Sequence, residues 1–407
     1  MANEWPIRPL GDVCELKRGY DLPQQKREGG DVPIVSSSGV SGTHSKPMVK
    51  SPGVVTGRYG TIGQVFFVRQ DFWPLNTTLY VRDFKGNDPL FIGYLLRTID
   101  YGSCSDKGAV PGVNRNHLHE LHVKIPPLPE QRAIAHILGT LDDKIELNRR
   151  TNATLEAMAR ALFQSWFVDF DPVRAKQQGR SPARLDPATA ASFPAEFEDS
   201  ELGEIPKGWK VGTLGEVTIN HRRGIEAIAL EKTEAYIGLE HMPRRSVALD
   251  DWGTAAKLES NKSSFKRNEI LFGKLRPYFH KVGIAPIDGV CSTDILVISP
   301  RSEEWFGFAL GHCSSDALVK HTDAMSTGTK MPRANWKDIA DYGVILPTAS
   351  VATAFTNAVS PAFGQITANI HQSRTLATLR DALLPKLLSG ELSVTAAEHA
   401  VADAGEL

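Results

Sequence analysis

Residues 126–148 read PPLPEQRAIAHILGTLDDKIELN. Prolines 126, 127 and 129 stop the preceding segment, because proline fixes φ and removes a backbone donor. A helical pattern starts at once, with apolar residues at alternating spacings of four and three: Ile134, Leu138, Leu141 and Ile145. It continues through Asn148 and Asn152 to Leu155, Ala159, Leu162 and Trp166. That is a heptad seam with a polar break at its centre. A helix from about Glu130 to Trp166 would extend roughly 54 Å at about 1.5 Å per residue. Ordinary globular helices are much shorter, so the stretch predicts a spacer between two folded halves.

The chain repeats itself. Trp5-Pro-Ile-Arg-Pro-Leu10-Gly11 matches Trp209-Lys-Val-Gly-Thr-Leu214-Gly215, an offset of 204. GVVTGRYG (53–60) matches NEILFGKL (268–275), which sets Gly57-Arg58 on Gly273-Lys274 at an offset of 216. LNTTLYV matches VCSTDILV, with Thr77 on Thr293. KGAVPGVNRNHL matches GTKMPRANWKDI, with Pro111 on Pro332 and Asn114 on Asn335 at an offset of 221. The same 221 carries the seam into a second copy through Phe355, Val359, Ile366, Asn369, Ser373, Leu376, Leu383 and Leu387. A drifting offset signals loop insertions within one architecture. Polar pairs inside an apolar seam are costly but fix register, so the two helices are expected to pack on each other, antiparallel. The blocks before each helix hold short β-type runs such as VVTGR, QVFFV and DILVIS, with helical segments between them. The predicted fold class is α/β, a tandem of two similar mixed domains joined and spaced by two long helices packed as an antiparallel coiled coil.

Composition is consistent with two folded domains in 407 residues, at 41% hydrophobic and 23% charged. No apolar run is long enough to span a membrane and no secretory leader is visible, so a cytoplasmic location is expected. The four cysteines are too scattered for a zinc knuckle or a disulfide framework and are expected to be small buried side chains. Net charge is −1, but the two blocks are slightly basic, +3 over residues 1–125 and +2 over 206–347, against −6 for the remainder. This permits nucleic-acid binding without demanding it.

Catalytic signatures are missing. No G-x-x-x-x-G-K-[ST] phosphate cradle occurs, and no Asn/Asp-Pro-Pro-aromatic stretch that could hold an amine for methylation. Gly57, Gly60 and Gly63 in TGRYGTIG read as a tight turn. His117, His119 and His122 lack the partner spacing of a metal site and are not repeated in the second block, so no metal is expected.

The residues 127–172, PLPEQRAIAHILGTLDDKIELNRRTNATLEAMARALFQSWFVDFDP, resemble the central conserved region of the specificity subunits of type I restriction-modification systems. LATLRDALLPKLLSGEL (376–392) resembles their C-terminal conserved region, and FPAEFEDSELGEIPKGW (193–209) the start of their second target-recognition domain. TGRYGTIG and FWPLNTTLYV are similar to the first. The resemblance implies a target-recognition domain over 1–127, a central helical spacer over 128–169, a linker over 170–205, and a second recognition domain over 206–347. A C-terminal spacer over 348–392 completes it, while the small, acidic stretch 393–407 lies outside the resemblance and reads as a flexible tail. The resemblance further implies a non-catalytic, DNA-binding subunit in which each recognition domain reads one half of a bipartite, asymmetric site on double-stranded DNA. Two methyltransferase subunits carrying S-adenosylmethionine would dock on the helices, and restriction subunits using ATP and magnesium would join them. The alternative is a protein-binding scaffold with no DNA role.

Candidate DNA contacts follow from repeat position and donor chemistry, since a long cation in a glycine-flanked turn can reach a base edge or a phosphate. They are Arg58 and Lys274, with Arg276; Lys107 and Arg115 with Lys330 and Arg333 around the Pro111 and Pro332 turns; and Arg18, Arg222 and Arg223 in the first loop of each block. On the helices, Asp142, Asp143, Lys144, Arg149, Arg150 and Glu156 are candidate partner contacts, and Phe163, Trp166 and Phe167 candidate anchors.

Overall fold

The heptad pattern folds as one uninterrupted helix, Leu128–Phe167, and its repeat as a second, Ala349–Ser389. The computed structural model describes residues 5–104, 112–326 and 331–405. They form two units, one running to Ile145 and resuming at Thr375, the other running from Glu146 to Arg374.

In the first unit the strand Ile7–Pro9 pairs antiparallel with His122–Lys124. A four-stranded antiparallel sheet follows in the order Glu15–Arg18, Thr78–Asp83, Gly53–Gly57, Val65–Val68. A three-stranded sheet sets Val32–Ser36 between Gly39–His44 and the parallel Trp73–Pro74. Gly53–Gly57 is buried along its whole length, which is why its sequence is a continuous apolar run rather than an alternation. Helix Pro89–Arg97 starts cleanly because Asp88 caps it, accepting the N–H groups of Leu90 and Phe91, with Pro89 at the first turn. Its Phe91 and Ile92 join Leu10, Val54, Ile134, Leu138, Leu141 and Ile145 in one core. Leu376, Leu383 and Leu387 close that core from the second helix.

The second unit repeats the plan. Lys210–Thr213 pairs with Gly343–Leu346, and a four-stranded sheet runs Thr218–Asn220, Ile295–Pro300, Ile270–Gly273, Val282–Ile284. A five-stranded sheet again holds one parallel pair, Ala235–Ile237 beside Gly289–Cys291. Here the helices meet antiparallel: Asn148 faces Gln372 and Ser373, Asn152 faces Asn369, and Phe163 faces Phe355. The polar break is therefore a bonded network. Asn148 Nδ2 donates to Gln372 Oε1 at 3.0 Å and Ser373 Oγ at 3.1 Å, and Asn369 Nδ2 donates to Asn152 Oδ1 at 2.8 Å. A shifted register would bury these amides unpaired, at about 1–3 kcal/mol each. Leu155 packs beside Ile366, Leu162 beside Phe355 and Val359.

Two segments depart from the sequence reading. Residues 170–205, expected as a linker, carry the helices Asp171–Gln177 and Pro187–Ser192 and begin the hairpin Phe197–Ser200 with Gly203–Pro206. Phe170, Val173 and Phe193 are buried with Phe163, Trp166, Phe167 and Trp209 in the second unit's core, so the three candidate anchors on the helix are interior residues of this unit. The expected flexible tail contains the helix Val394–Gly405, whose Ala397 is fully buried in the first unit. It begins 223 residues after the start of the helix Asp171–Gln177, and small residues make its apolar face a weak signal. Among the described residues, all four cysteines are free and buried, and no helix is long and apolar enough to cross a membrane.

Asp142, thought of as a partner contact, is spent inside the first unit. It accepts from Arg380 Nη1 at 2.6 Å, Tyr94 Oη at 2.7 Å and Arg97 Nη1 at 3.0 Å. Burial opposes its ionisation, but the hydrogen bonds from Arg380 and Tyr94 and the two guanidinium charges outweigh that and hold the carboxyl below the usual range. A depressed folded pKa means stabilisation present above the unfolded value of about 3.9 and lost as pH falls through the folded one. Asp142→Ala is expected to cost about 2 kcal/mol at neutral pH, and the deficit should shrink on acidification below that range in urea titrations.

Candidate nucleic-acid interface

Each glycine-flanked cation directly follows an inner strand of its four-stranded sheet, and both are tied down in the same way. In the first unit a side chain on Gly57 would collide with the carbonyl of Thr61, and Gly60 and Gly63 turn at φ +78° and +81°, so only glycine suits this turn. The Arg58 N–H donates to the carbonyl of Thr77 at 2.9 Å, and the Arg58 carbonyl accepts from Val113 at 3.0 Å. In the second unit the Lys274 N–H donates to Asp294 and its carbonyl accepts from Ala334, each at 2.9 Å. Tyr59 bridges to Gly112 as Leu275 bridges to Arg333. The backbone of each cation is thus clamped on both sides, and both residues are half-buried.

The Asn114/Asn335 match has a simple cause: both are helix N-caps. Asn114 accepts the N–H of Asn116 at 3.0 Å ahead of Arg115–Glu120, and Asn335 that of Asp338 at 3.1 Å ahead of Trp336–Ala340. These short helices sit beside the clamped cations, which brings several predicted residues together. Arg58 stacks over Tyr59, 4.7 Å to the ring centre, and Tyr59 is exposed. Arg115 is exposed at the first position of its helix. Arg18 is exposed and bonded to Asp21, which also takes the amide of Asn76, the neighbour of Thr77. In the second unit Lys274 and Arg222 line an open cleft of about 370 Å³ with Asn220, His221, Asn335 and Trp336. Arg333 is exposed and paired with Asp294 at 3.2 Å.

Other candidates are placed differently. Arg223 forms a two-pronged pair with Glu269, at 3.0 and 2.8 Å, and Glu269 is buried. Burial raises the Glu269 carboxyl, but Arg223, the Lys266 N–H and Ser299 more than offset it and hold its pKa below the usual range. Arg223 is therefore committed to Glu269 in this structure. Arg276 adopts a left-handed φ of +51°, gives its N–H to Pro332 and lies 5.9 Å from the Phe279 ring. Lys107 and Lys330 lie outside the described residues. Tyr20 is stacked on Tyr80 with their hydroxyls 2.9 Å apart, a packing role, and His119 Nε2 accepts the Leu16 N–H at 3.0 Å. On the central helix Glu156 is buried, its carboxylate accepting from Ser246 and from the N–H groups of Val247 and Ala248. Asp21, Asn76, Asp294, His221 and Trp336 were not singled out from sequence, because only three-dimensional pairing brings them to the cations.

Arg223→Ala is expected to lower stability by about 2 kcal/mol by leaving Glu269 buried without its cation. Arg222→Ala should stay within about 0.5 kcal/mol of the parent. Urea midpoints of the two variants check the contrast.

Residues 2–157 match the family model described as the type I restriction modification DNA specificity domain. The MjaIX specificity subunit of a type I restriction enzyme from Methanocaldococcus jannaschii is 25% identical, over 97% of this chain and 95% of its own length. The HindI specificity subunit from Haemophilus influenzae is 26% identical, over 71% and 72% respectively. In fold, the chain resembles the S subunit of a type I restriction-modification system from M. genitalium. The TM-score is 0.58 at 16% identity, covering 95% of this chain and 96% of that one.

Proposed function

We propose that this chain is a non-catalytic specificity subunit of a type I restriction-modification system, and that each of its two units reads one half of a bipartite, asymmetric DNA sequence. The observation that carries this reading is the doubled cation turn, Gly57-Arg58 and Gly273-Lys274, clamped through the same two backbone bonds in both units. One reader per unit, with different side chains around an equivalent turn, suits a target whose halves differ. Arg58 can take a guanine edge with two donors, whereas Lys274 offers a single mobile point charge. The flanking Arg18, Arg115, Arg222 and Arg333 would set the duplex through phosphates, which positions the protein without specifying sequence.

The long helices would dock two methyltransferase subunits, and with them S-adenosylmethionine, so that the specificity subunit directs adenine methylation. Restriction subunits using ATP and magnesium would convert the same recognition into cleavage. All of this would take place in the cytoplasm. A protein-only scaffold lacks a reason for the paired cation turns and would show no salt-dependent DNA affinity.

A map of methylated adenine in cells expressing this chain with its methyltransferase should show a two-part motif separated by a fixed gap. Replacing residues 1–125 with the corresponding block of a relative should change one half of that motif and keep the other. Simultaneous change of both halves would contradict independent reading. Lys274→Ala should weaken binding to the cognate duplex, and a salt titration of affinity tells its role: a slope reduced by about 1 marks a phosphate contact, an unchanged slope with relaxed sequence a base contact.

A further inference from the structure

A second segment approaches the cation in each unit, and neither copy of it is part of the sequence repeat. It is the turn that follows the strand joined to its parallel neighbour: Val32–Ser36 in the first unit and Ala235–Ile237 in the second. In the first, Ser37 lies against the cation turn, its Cβ 3.3 Å from where a side chain on Gly57 would start and its Oγ 3.3 Å from the same position on Gly60. In the second, Leu239 stands 2.9 Å from the equivalent position on Gly273. The glycine before each cation is thus required partly because this turn packs against it.

The chemistry of the two turns differs. In the first unit the turn and the strand leaving it, Gly39–His44, are small and polar: Ser38, Ser41 and Thr43 are exposed, and Ser36 Oγ donates to the Gly39 carbonyl at 2.9 Å to shape the bend. Val40 interrupts them with 68% of its surface in solvent. In the second, His241 Nδ1 accepts the Gly238 N–H at 2.9 Å, and Glu240 is exposed. The Glu240 carboxylate lies over Gly238, and Lys281 is near enough to feel its charge. A carboxylate beside DNA is repelled by phosphates unless it meets a base amino group, the hydrogen-bond partner that cytosine N4 offers in the major groove. A methyl-bearing side chain among hydroxyls suits the 5-methyl of thymine.

Resting on the reading of each unit as a half-site reader, we propose that these turns are the second specificity element beside each cation. Val40, with Ser38, contacts base edges in one half of the site, and Glu240 accepts from a base amino group in the other. The cation supplies reach and charge; the turn supplies the discrimination a cation alone lacks.

The test is the methylated-adenine map for the full chain with its methyltransferase, comparing the parent with Val40→Ala, Ser38→Ala and Glu240→Gln. These side chains are exposed and support no core, so melting temperatures should match the parent and report any folding defect separately. Glu240→Gln should relax or change one base pair in one half of the motif, raising methylation at the altered sites roughly tenfold. Val40→Ala or Ser38→Ala should do the same in the other half only. Competition between duplexes differing at that base pair gives the same comparison for any variant too weak to methylate. Unchanged motifs in all three variants, or changes in both halves from a single variant, would overturn the proposal. A parent map without a two-part motif would instead overturn the half-site reading itself, and this inference with it.

Discussion

Each of the two cores is completed by halves of the same two helices, and this shared use is the constraint on which the structure depends. The first half of Leu128–Phe167 lies in a core with Leu376, Leu383 and Leu387, while its second half packs on Phe355 and Val359. Neither α/β block therefore closes its hydrophobic core from local sequence alone. Helix length follows from that requirement: a helix serving two cores must keep its apolar seam well past the few turns that one core demands. The buried amides Asn148, Asn152 and Asn369 fit the same logic. They contribute little net stability, but an apolar seam of repeating heptads could slide by one repeat, and an amide network satisfied in only one register makes that slip costly.

Much of this was legible because the repeat preserves what backbone geometry needs. Gly57 and Gly273 recur because a turn packs where a side chain would stand. Asn114 and Asn335 recur because a short helix must be capped. Leu10 and Leu214 recur because both are fully buried at the start of their blocks. The heptad seam was visible for the ordinary reason that long amphipathic patterns are the strongest signal a sequence carries.

The parts that were not legible share a different cause. Helices of six or seven residues, such as Asp171–Gln177 and Pro187–Ser192, have too few turns to display a period, so Phe170, Val173 and Phe193 looked like isolated apolar residues in a linker. The terminal helix packs only Val394, Ala397 and Val401 on the core among its described side chains, and three small residues mark a face weakly. Arg223 looked as available as Arg222, and only the fold brings Glu269 to it from 46 residues away. Charge pairing of this kind is set by strand adjacency, which local sequence does not encode.

That distinction bears on how two units of one plan can present unlike surfaces. The features that recur between the units are those which fix backbone position: glycines, caps and the clamp on the cation. The features that differ are exposed and bear little on stability: an arginine stacked on tyrosine against a lysine in a cleft, and serines with a valine against a glutamate. Surface substitutions of this sort usually change stability by less than about 0.5 kcal/mol. A mismatched base pair costs about 1–3 kcal/mol in binding. On the proposed half-site reading, sequence preference can therefore shift by more than stability does, so the surfaces of the two units can diverge without disturbing the cores that the helices complete.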